Sequence, residues 1–266
     1  MVRSRNCARN HRDALPVSRL IPRRIIVSTF LRSFLIQGSW NYHTMLGSGF
    51  AFSMLPTLRR VFGSNGAELD EAVARHLEHF NAHPYMANLA LGAAMRLEAE
   101  GSDADTVRRL KAAVRSPLGG LGDALVWAAW LPGVAVGALA LYWLGAPAGV
   151  VVTAFLVTYN VGHLGLRAWC LSAGLRAGRE LGGVLVKADL SRWTARLRPV
   201  VVGLLGVMVG GVVGADGGLA ESGLPWVFLA GAGFVAGLVG GHKAWRPAAA
   251  LTVAAIAAVA SLGVLR

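Results

Sequence analysis

The sequence predicts an all-α, polytopic membrane protein with N-terminal amphipathic or re-entrant helices and about four to five C-terminal membrane helices. Three observations predict this fold class. Hydrophobic residues make up 55% of the 266 residues, charged residues only 15%, and the mean hydropathy is +0.52, whereas a soluble domain is about 25% charged. The C-terminal half contains long apolar runs, and the N-terminal half has apolar residues at helical spacing.

The first element is a basic arm, residues 1–28, with seven arginines and one aspartate and a net charge of +6 out of the chain's +12. Because it contains Pro16 and Pro22 and few apolar anchors, it cannot bury enough apolar area to fold alone. We expect the arm to be mobile or to lie on anionic lipid, and to be dispensable, with Val27 as a candidate start. The other basic residues flank apolar runs, which indicates the cytoplasmic side of a membrane and no nucleic-acid partner.

An amphipathic helix is predicted next, and six apolar residues form its broad face: Phe30, Leu31, Phe34, Leu35, Met45 and Leu46. A single straight helix is disfavoured by four helix-breaking residues: Gly38, Gly47, Gly49 and Pro56. The opposite face carries a polar stripe at i, i+4, i+7 and i+11: Gln37, Asn41, Thr44 and Ser48. Such a stripe suits either sugar solvation or helix packing and headgroup contact, and the spacing leaves both open.

A second helix is predicted from Glu68 to about Ala82, since Pro84 disfavours helical geometry at the preceding residue. Its apolar stripe is Leu69, Val73, Leu77 and Phe80. Three histidines recur at i, i+3 and i+7: His76, His79 and His83. Three imidazoles can form an open zinc site. The HExxH pattern is absent and His76 falls in the apolar stripe, so a buried, hydrogen-bonded histidine is favoured, and we expect no metal and no cofactor.

Residues 102–115 predict a basic connector helix with Ser102 or Asp103 as its N-cap and Pro117 beyond its end. The glycine-rich residues 119–122 then predict a tight turn with Asp123 as the N-cap of the next helix. A role of the Asp123 carboxylate in accepting sugar hydroxyls competes with this capping role. No strand precedes the glycines and no Gly-Lys-Ser/Thr follows, so a nucleotide site is excluded.

Five apolar runs follow, at residues 124–145, 148–171, 199–214, 224–241 and 247–265. Those near 20 residues match one bilayer crossing, and the short, glycine-rich third and fourth are also compatible with a re-entrant pair. If all five cross, the basic segments between them alternate consistently with the positive-inside rule and the C-terminus faces outward.

The second run contains three polar residues at i, i+3 and i+7: Asn160, His163 and Arg167. At membrane depth such groups usually face a partner, a cavity or the interface, and Arg167 is also placed to snorkel. Cys7 and Cys170 lie in different settings, which gives a disulfide no support. No pattern of a catalytic triad, paired carboxylates or cysteine nucleophile is present, so we expect no covalent catalysis.

Three ordered blocks resemble the IID membrane subunit of the mannose/fructose/sorbose family of the sugar phosphotransferase system (PTS). The first is Leu31–Tyr42 continued by Gly49–Pro56, the second is Arg75–Tyr85, and the third is Ser116–Asp123. The likeness runs from about Phe30 to Gly183 and continues more weakly to the C-terminus. Two features depart from the family pattern: the linker from Asp216 to Gly223 is shorter, and the arginine-rich arm has no counterpart.

The resemblance implies a multi-pass protein of the bacterial inner membrane that pairs with a IIC subunit, as a trimer of heterodimers. Phosphate passes in this family through IIA and a histidine of IIB to the sugar, and IID is not a phosphocarrier. Residues 29–183 would form the transport core, and residues 184–266 would form C-terminal membrane helices at a subunit interface. Carried over by position, six residues line or shape the sugar path: Gln37, Trp40, Asn41, Asn81, His83 and Asp123. Two alternatives stay open: an orphan regulatory scaffold in the membrane, and a metalloprotein that uses the three histidines.

Overall fold

The computed structural model describes residues 21–215, and the side chains of residues 21–206 and 208 within them. In this part the chain forms nine α-helices: α1 (Arg23–Arg32), α2 (Gly47–Phe62), α3 (Ala67–Leu77), α4 (Ala87–Ala99), α5 (Ala104–Gly122), α6 (Leu131–Trp143), α7 (Ala148–Ala177), α8 (Leu181–Ala188) and α9 (Leu190–Ala215). Short 3₁₀ turns occupy Ser33–Leu35 and Gly178–Glu180, and a π-helical segment, Asp123–Trp130, joins α5 to α6. Within residues 21–215 the only β pairing is in isolated bridges, so the predicted all-α class is confirmed there.

The chain divides into two compact units. In the described part, the first unit contains residues 21–117 and 167–184, and the second contains residues 118–166 and 185–215. The first unit ends next to the predicted boundary at residue 183. The helices between residues 118 and 166, however, belong to the second unit.

The core of the first unit is built around α4, a helix that the sequence patterns did not single out. Eleven of its 13 residues are buried, and nine of these eleven are apolar, as expected of a helix that its neighbours enclose. It crosses the C-terminal part of α7 at close range, because a Cβ atom on Gly92 or on Gly174 would overlap the backbone of the other helix. This contact requires glycine on both helices.

The first helix begins earlier and ends earlier than predicted. It covers Arg23–Arg32, with Ile25 buried and Ile21 buried just before it, so part of the predicted arm packs on the first unit; residues 1–20 lie outside the described residues. Residues 36–46 are turns and not helix, so the predicted broad apolar face and the helical polar stripe are wrong. Backbone hydrogen bonds to residue 80 take the place of helical hydrogen bonds at residues 44 and 46.

The second predicted helix is present, but α3 ends at Leu77 and not near Ala82. Glu78 has extended backbone angles, φ −54° and ψ 156°, and the backbone of Phe80 pairs with residues 44 and 46. Of the predicted apolar stripe, Leu69 is buried, whereas Leu77 is 41% exposed and Phe80 lies beyond the helix.

The connector helix α5 has the predicted N-cap, since the backbone N–H of Thr106 donates to Asp103 Oδ1 at 2.8 Å. The hydrogen bonds that the Thr106 hydroxyl and the Thr106 backbone N–H donate to it lower the pKa of the exposed Asp103 carboxyl. The predicted end is wrong, because Pro117 lies inside the helix. The predicted tight turn is also wrong: Gly122 has helical angles and Asp123 begins the π-helical segment, so it does not cap a new helix. One missing N–H at Pro117 does not end a helix that is continued by apolar residues on its far side.

Two continuous helical stretches of the described chain are long and apolar enough to cross a membrane, Ala104–Trp143 with 40 residues and Ala148–Gly206 with 59 residues. In the most apolar part of the first, 22% of the residues are buried, and in that of the second none is. The predicted runs at 148–171 and 199–214 fall within helices, and the run at 124–145 is helical as far as Trp143. The runs at 224–241 and 247–265, the linker from Asp216 to Gly223 and the outward C-terminus lie outside the described residues.

Candidate functional site

Loop A, residues 36–46, is folded by the side-chain amide of Asn41. Its Oδ1 accepts the backbone N–H groups of His43 at 3.0 Å and Thr44 at 2.9 Å, and its Nδ2 donates to the Thr44 hydroxyl at 2.9 Å. An asparagine that bonds its own following backbone in this way builds a tight turn. Met45 closes the turn in the left-handed region, with φ 54°, a conformation that a non-glycine residue adopts only when its surroundings hold it there.

Loop B, residues 78–86, holds that strained turn. The backbone N–H of Leu46 donates to Phe80 O at 2.9 Å, and the N–H of Phe80 donates to Thr44 O at 3.1 Å. At the start of α2, the Cα of Gly47 lies so close to the carbonyls at the end of α3 that a Cβ there would stand 2.5 Å from Leu77 O. Loops A and B are therefore joined through their backbones into one surface.

Five of the six predicted sugar-path residues lie on these two loops: Gln37, Trp40 and Asn41 on loop A, and Asn81 and His83 on loop B. Gln37 and Asn81 are exposed, Asn41 is half-buried and His83 is buried. Trp40 is 45% exposed and packs edge-on against Tyr42, with 4.9 Å between ring centroids. Exposed amides can donate to and accept from hydroxyl groups, and exposed aromatic rings can pack against a sugar ring, so groups of these kinds suit a polyhydroxylated ligand.

His83 is buried within loop B. Its Nδ1 accepts the backbone N–H of Tyr85 at 3.2 Å, and its ring meets that of Tyr85 edge-on at 4.8 Å. The Arg167 guanidinium covers the Tyr85 ring at 4.8 Å and donates to Ser33 O at 2.8 Å. Arg167 is only 4% exposed, so the predicted snorkelling is wrong. Instead, Arg167 ties α7 to the end of α1.

Asn160 and His163 are on α7, the helix that also carries Arg167. They belong to the second unit, where the exposed Asn160 side chain donates to Leu156 O at 2.8 Å on its own helix. The sixth predicted residue, Asp123, also belongs to the second unit and is exposed at the first residue of the π-helical segment. Such segments occur frequently at functional sites.

The three histidines do not form the helical row that the spacing predicted, because α3 ends after His76 and His83 follows in loop B. His76 Nε2 lies 2.8 Å from Glu98 Oε1, and His79 Nδ1 lies 3.2 Å from Arg115 Nη1. No group of three His, Cys, Asp or Glu side chains that could hold a metal ion was found among residues 21–206 and 208. The metalloprotein hypothesis therefore loses the geometry on which it rested.

A buried ionic cluster was missed by the sequence reasoning. The fully buried Glu98 accepts Arg75 Nε at 2.8 Å and Arg75 Nη2 at 2.5 Å, in addition to His76. Burial alone would raise the pKa of Glu98, but the hydrogen bonds from His76 and Arg75 lower it. Burial lowers the pKa of His76 to about 4, so the neutral imidazole donates to the carboxylate. A glutamate three residues after the apolar run 89–95 was the available signal.

Comparison with known proteins identifies the family of this chain. The profile of the PTS system mannose/fructose/sorbose family IID component matches residues 21–220. The chain belongs to this family. The mannose-specific EIID component of Escherichia coli (strain K12) is 34% identical to this IID component over 167 residues, which cover 59% of this chain and 58% of that protein. The chain thus spans less than two thirds of the length of that relative.

Two further relatives align over longer segments. The fructose permease IID component of Bacillus subtilis (strain 168) is 28% identical over 206 residues, or 68% of this IID component and 74% of that protein. The sorbose-specific EIID component of Klebsiella pneumoniae is 31% identical over 189 residues, or 68% of both proteins.

Solved structures give the same fold. A chain in the cryo-electron microscopy structure of the mannose transporter ManYZ with microcin E492 has a TM-score of 0.56 and 29% identity, and the likeness covers 72% of this IID component and 71% of that chain. A second chain, from a structure of a membrane protein, has a TM-score of 0.64 and 29% identity over 70% of both chains.

Proposed function

We propose that this IID component acts with a IIC subunit as the membrane part of a mannose-class sugar permease of the bacterial inner membrane, and that IIB phosphorylates the sugar it delivers. The observation that carries the proposal is the family match over residues 21–220. Relatives named for mannose, fructose and sorbose support a hexose or ketose as the substrate class. The similar ManYZ chain comes from a transporter, which supports a multi-pass position and assembly with IIC.

The contribution of this subunit is hydrogen bonding, packing and gating, without phosphoryl transfer. Loops A and B supply the polar and aromatic groups: Gln37, Trp40, Asn41, Asn81 and His83. Asp123, in the second unit, stays a proposed sugar-path residue by its position in the third block. The Asn41 amide already makes four hydrogen bonds within loop A, so its role is to shape the loop, whereas the exposed Asn81 is available to a sugar. We propose that residues 184–266 contribute to the subunit interface of a trimer of heterodimers.

Sugar uptake tests the proposal. The chain is co-expressed with IIC, IIB and IIA of the same genome in a host that lacks mannose-class permeases, and accumulation of labelled mannose, fructose and sorbose is followed. We expect accumulation that depends on phosphoenolpyruvate and stops when this subunit is omitted. Co-purification with IIC but no uptake of any of these or related hexoses, hexosamines and ketoses would instead favour a regulatory scaffold.

A further inference from the structure

Helix α5 holds the start of loop B with three basic residues on one face. They recur at i, i+3 and i+7, and this set, called the basic stripe, is Arg108, Lys111 and Arg115. Arg108 Nε donates to Glu78 Oε1 at 2.7 Å, and Arg115 Nη1 lies 3.2 Å from His79 Nδ1. Between them, Lys111 Nζ reaches the last turn of α3. The stripe therefore contacts the segment where α3 gives way to loop B.

Lys111, a residue of α5, caps the C-terminus of α3. The last carbonyls of a helix need partners, which a glycine in the left-handed region commonly helps to supply. The residue after α3 is instead the extended Glu78. Lys111 Nζ donates to Arg75 O at 2.7 Å and lies 3.4 Å from His76 O, and a cation at a helix C-terminus also complements the helix dipole. Because Lys111 is only 4% exposed, water cannot readily replace its ammonium group.

The same ammonium group is linked to loop B through aromatic rings. Lys111 Nζ lies 5.1 Å from the centre of the Phe50 ring, and Phe50 packs against Phe80 of loop B with 4.8 Å between centroids. Phe50 and Phe80 are both fully buried. Lys111 thus contacts both the backbone that precedes loop B and the core residue that supports its side chain.

The neighbouring Arg109 provides an internal contrast. It is exposed and pairs with Asp105 one turn earlier on the same helix. Among the described residues, no hydrogen bond or ion pair joins it to α3 or loop B. Composition alone would treat Arg108, Arg109, Lys111 and Arg115 as equivalent cytoplasmic charges. Their contacts separate Arg109 from the other three.

We propose that Arg108, Lys111 and Arg115 are positioning residues, which hold loop B in the conformation that exposes Asn81 and buries His83. The inference rests on the proposed function only where it predicts an effect on sugar transport. Its structural part, that the basic stripe orders loop B, stands independently. Lys111 sets the point where α3 ends, and the two arginines fasten the next residues, Glu78 and His79.

Hydrogen–deuterium exchange of the complex with IIC tests the structural part. Lys111→Met keeps an unbranched side chain of nearly the same length and removes the charge, and we expect amides of residues 78–86 to exchange roughly tenfold faster than in the wild type, with residues 87–99 unchanged. If this variant fails to assemble, Arg108→Gln with Arg115→Gln removes the two exposed contacts and should speed the same amides about two- to threefold. Arg109→Gln is the matched control and should change nothing. Equal exchange in all variants would overturn the proposal.

Transport kinetics test the consequence. Lys111→Met should raise KM for the sugar several-fold while Vmax per assembled complex stays within about twofold of the wild type, because the binding loop is loosened and the bilayer helices are intact. A fall in the amount of complex with no change in KM would show a purely structural role and would overturn the positioning assignment. Absence of uptake by a wild-type complex that assembles would count against the proposed transport function alone, since the exchange measurement needs the assembled complex but not transport.

Discussion

Replacing Glu98 with glutamine removes the charge that the buried cluster shares. Glu98 accepts two hydrogen bonds from Arg75 and one from His76, and its side chain has no exposed surface. In Glu98→Gln the Arg75 guanidinium, whose side chain is 8% exposed, keeps its charge but loses the carboxylate. The new amide also brings an N–H₂ group towards donors. No partner of His76 Nδ1 lies among the described residues, so the ring cannot change tautomer without burying an unpaired N–H group.

The size of the effect follows from the burial. Removing one partner of a buried ion pair costs about 3–5 kcal/mol. The cation–π contact of Arg75 with Phe62, at 5.2 Å, offsets only part of this loss, and we expect about 3 kcal/mol. For a chain of this size such a loss lowers the melting temperature by roughly 6–12 °C.

Thermal unfolding in detergent, followed by tryptophan fluorescence at one fixed scan rate, measures this shift. Glu100→Gln is the matched control, because Glu100 lies two residues further on and pairs with Arg96 while its side chain is 32% exposed. That pair is worth at most about 1 kcal/mol. A Glu98→Gln protein that melts within about 2 °C of the Glu100→Gln protein would refute the reasoning. Adding Arg75→Met to Glu98→Gln should restore part of the stability, since the unpaired charge is then gone.

Three further predictions follow from single contacts. The pKa of His76 is about 4 in the fold against an ordinary 6.5, so the unfolded chain binds the proton more tightly than the folded chain. The contribution of His76 to stability should therefore be complete above about pH 6.5 and fall by about 3 kcal/mol towards pH 4. Melting temperatures measured at stepped pH would show this fall, and a flat profile would contradict it. Gly174→Ala should separate α4 from α7 and cost several kcal/mol, whereas Gly165→Ala on α7, with nothing within 4 Å, should leave the melting temperature nearly unchanged. Asn81→Ala should weaken sugar uptake several-fold without a change in melting temperature, whereas Asn41→Ala should lower both uptake and melting temperature. Each lost hydrogen bond costs about 0.5–1.5 kcal/mol. Equal behaviour of the two variants would argue against the different roles of the two amides.

Several features of the fold could be predicted from neighbouring residues alone. The side chain and backbone contacts of the Asp103 cap lie within three residues, so a local pattern was sufficient. Apolar runs predicted helices between residues 124 and 214, since continuous apolar character over some 20 residues depends only on composition. The loop blocks around residues 31–42 and 75–85 predicted the family, which the match over residues 21–220 confirms.

The geometry of the candidate site was decided by residues far apart in the chain. The predicted end of α3 was wrong by five residues for two reasons. Lys111, 36 positions from Arg75, donates to the Arg75 carbonyl in the last turn of the helix, and the backbones of Thr44 and Leu46 pair with Phe80. Helical periodicity cannot register a hydrogen bond that comes from another helix. Loop A was predicted as helix for the same reason.

The sequence by itself determined that the chain is helical, suited to a membrane, and a member of the IID family, because composition, apolar run length and ordered blocks are properties of the chain as written. Only the tertiary structure decided that Arg75, His76 and Glu98 share one buried site, that Arg167 reaches Ser33 across 134 positions, and that loops A and B form one surface. These contacts follow from burial, since a charged group removed from water is stable only when another part of the fold supplies a partner for it.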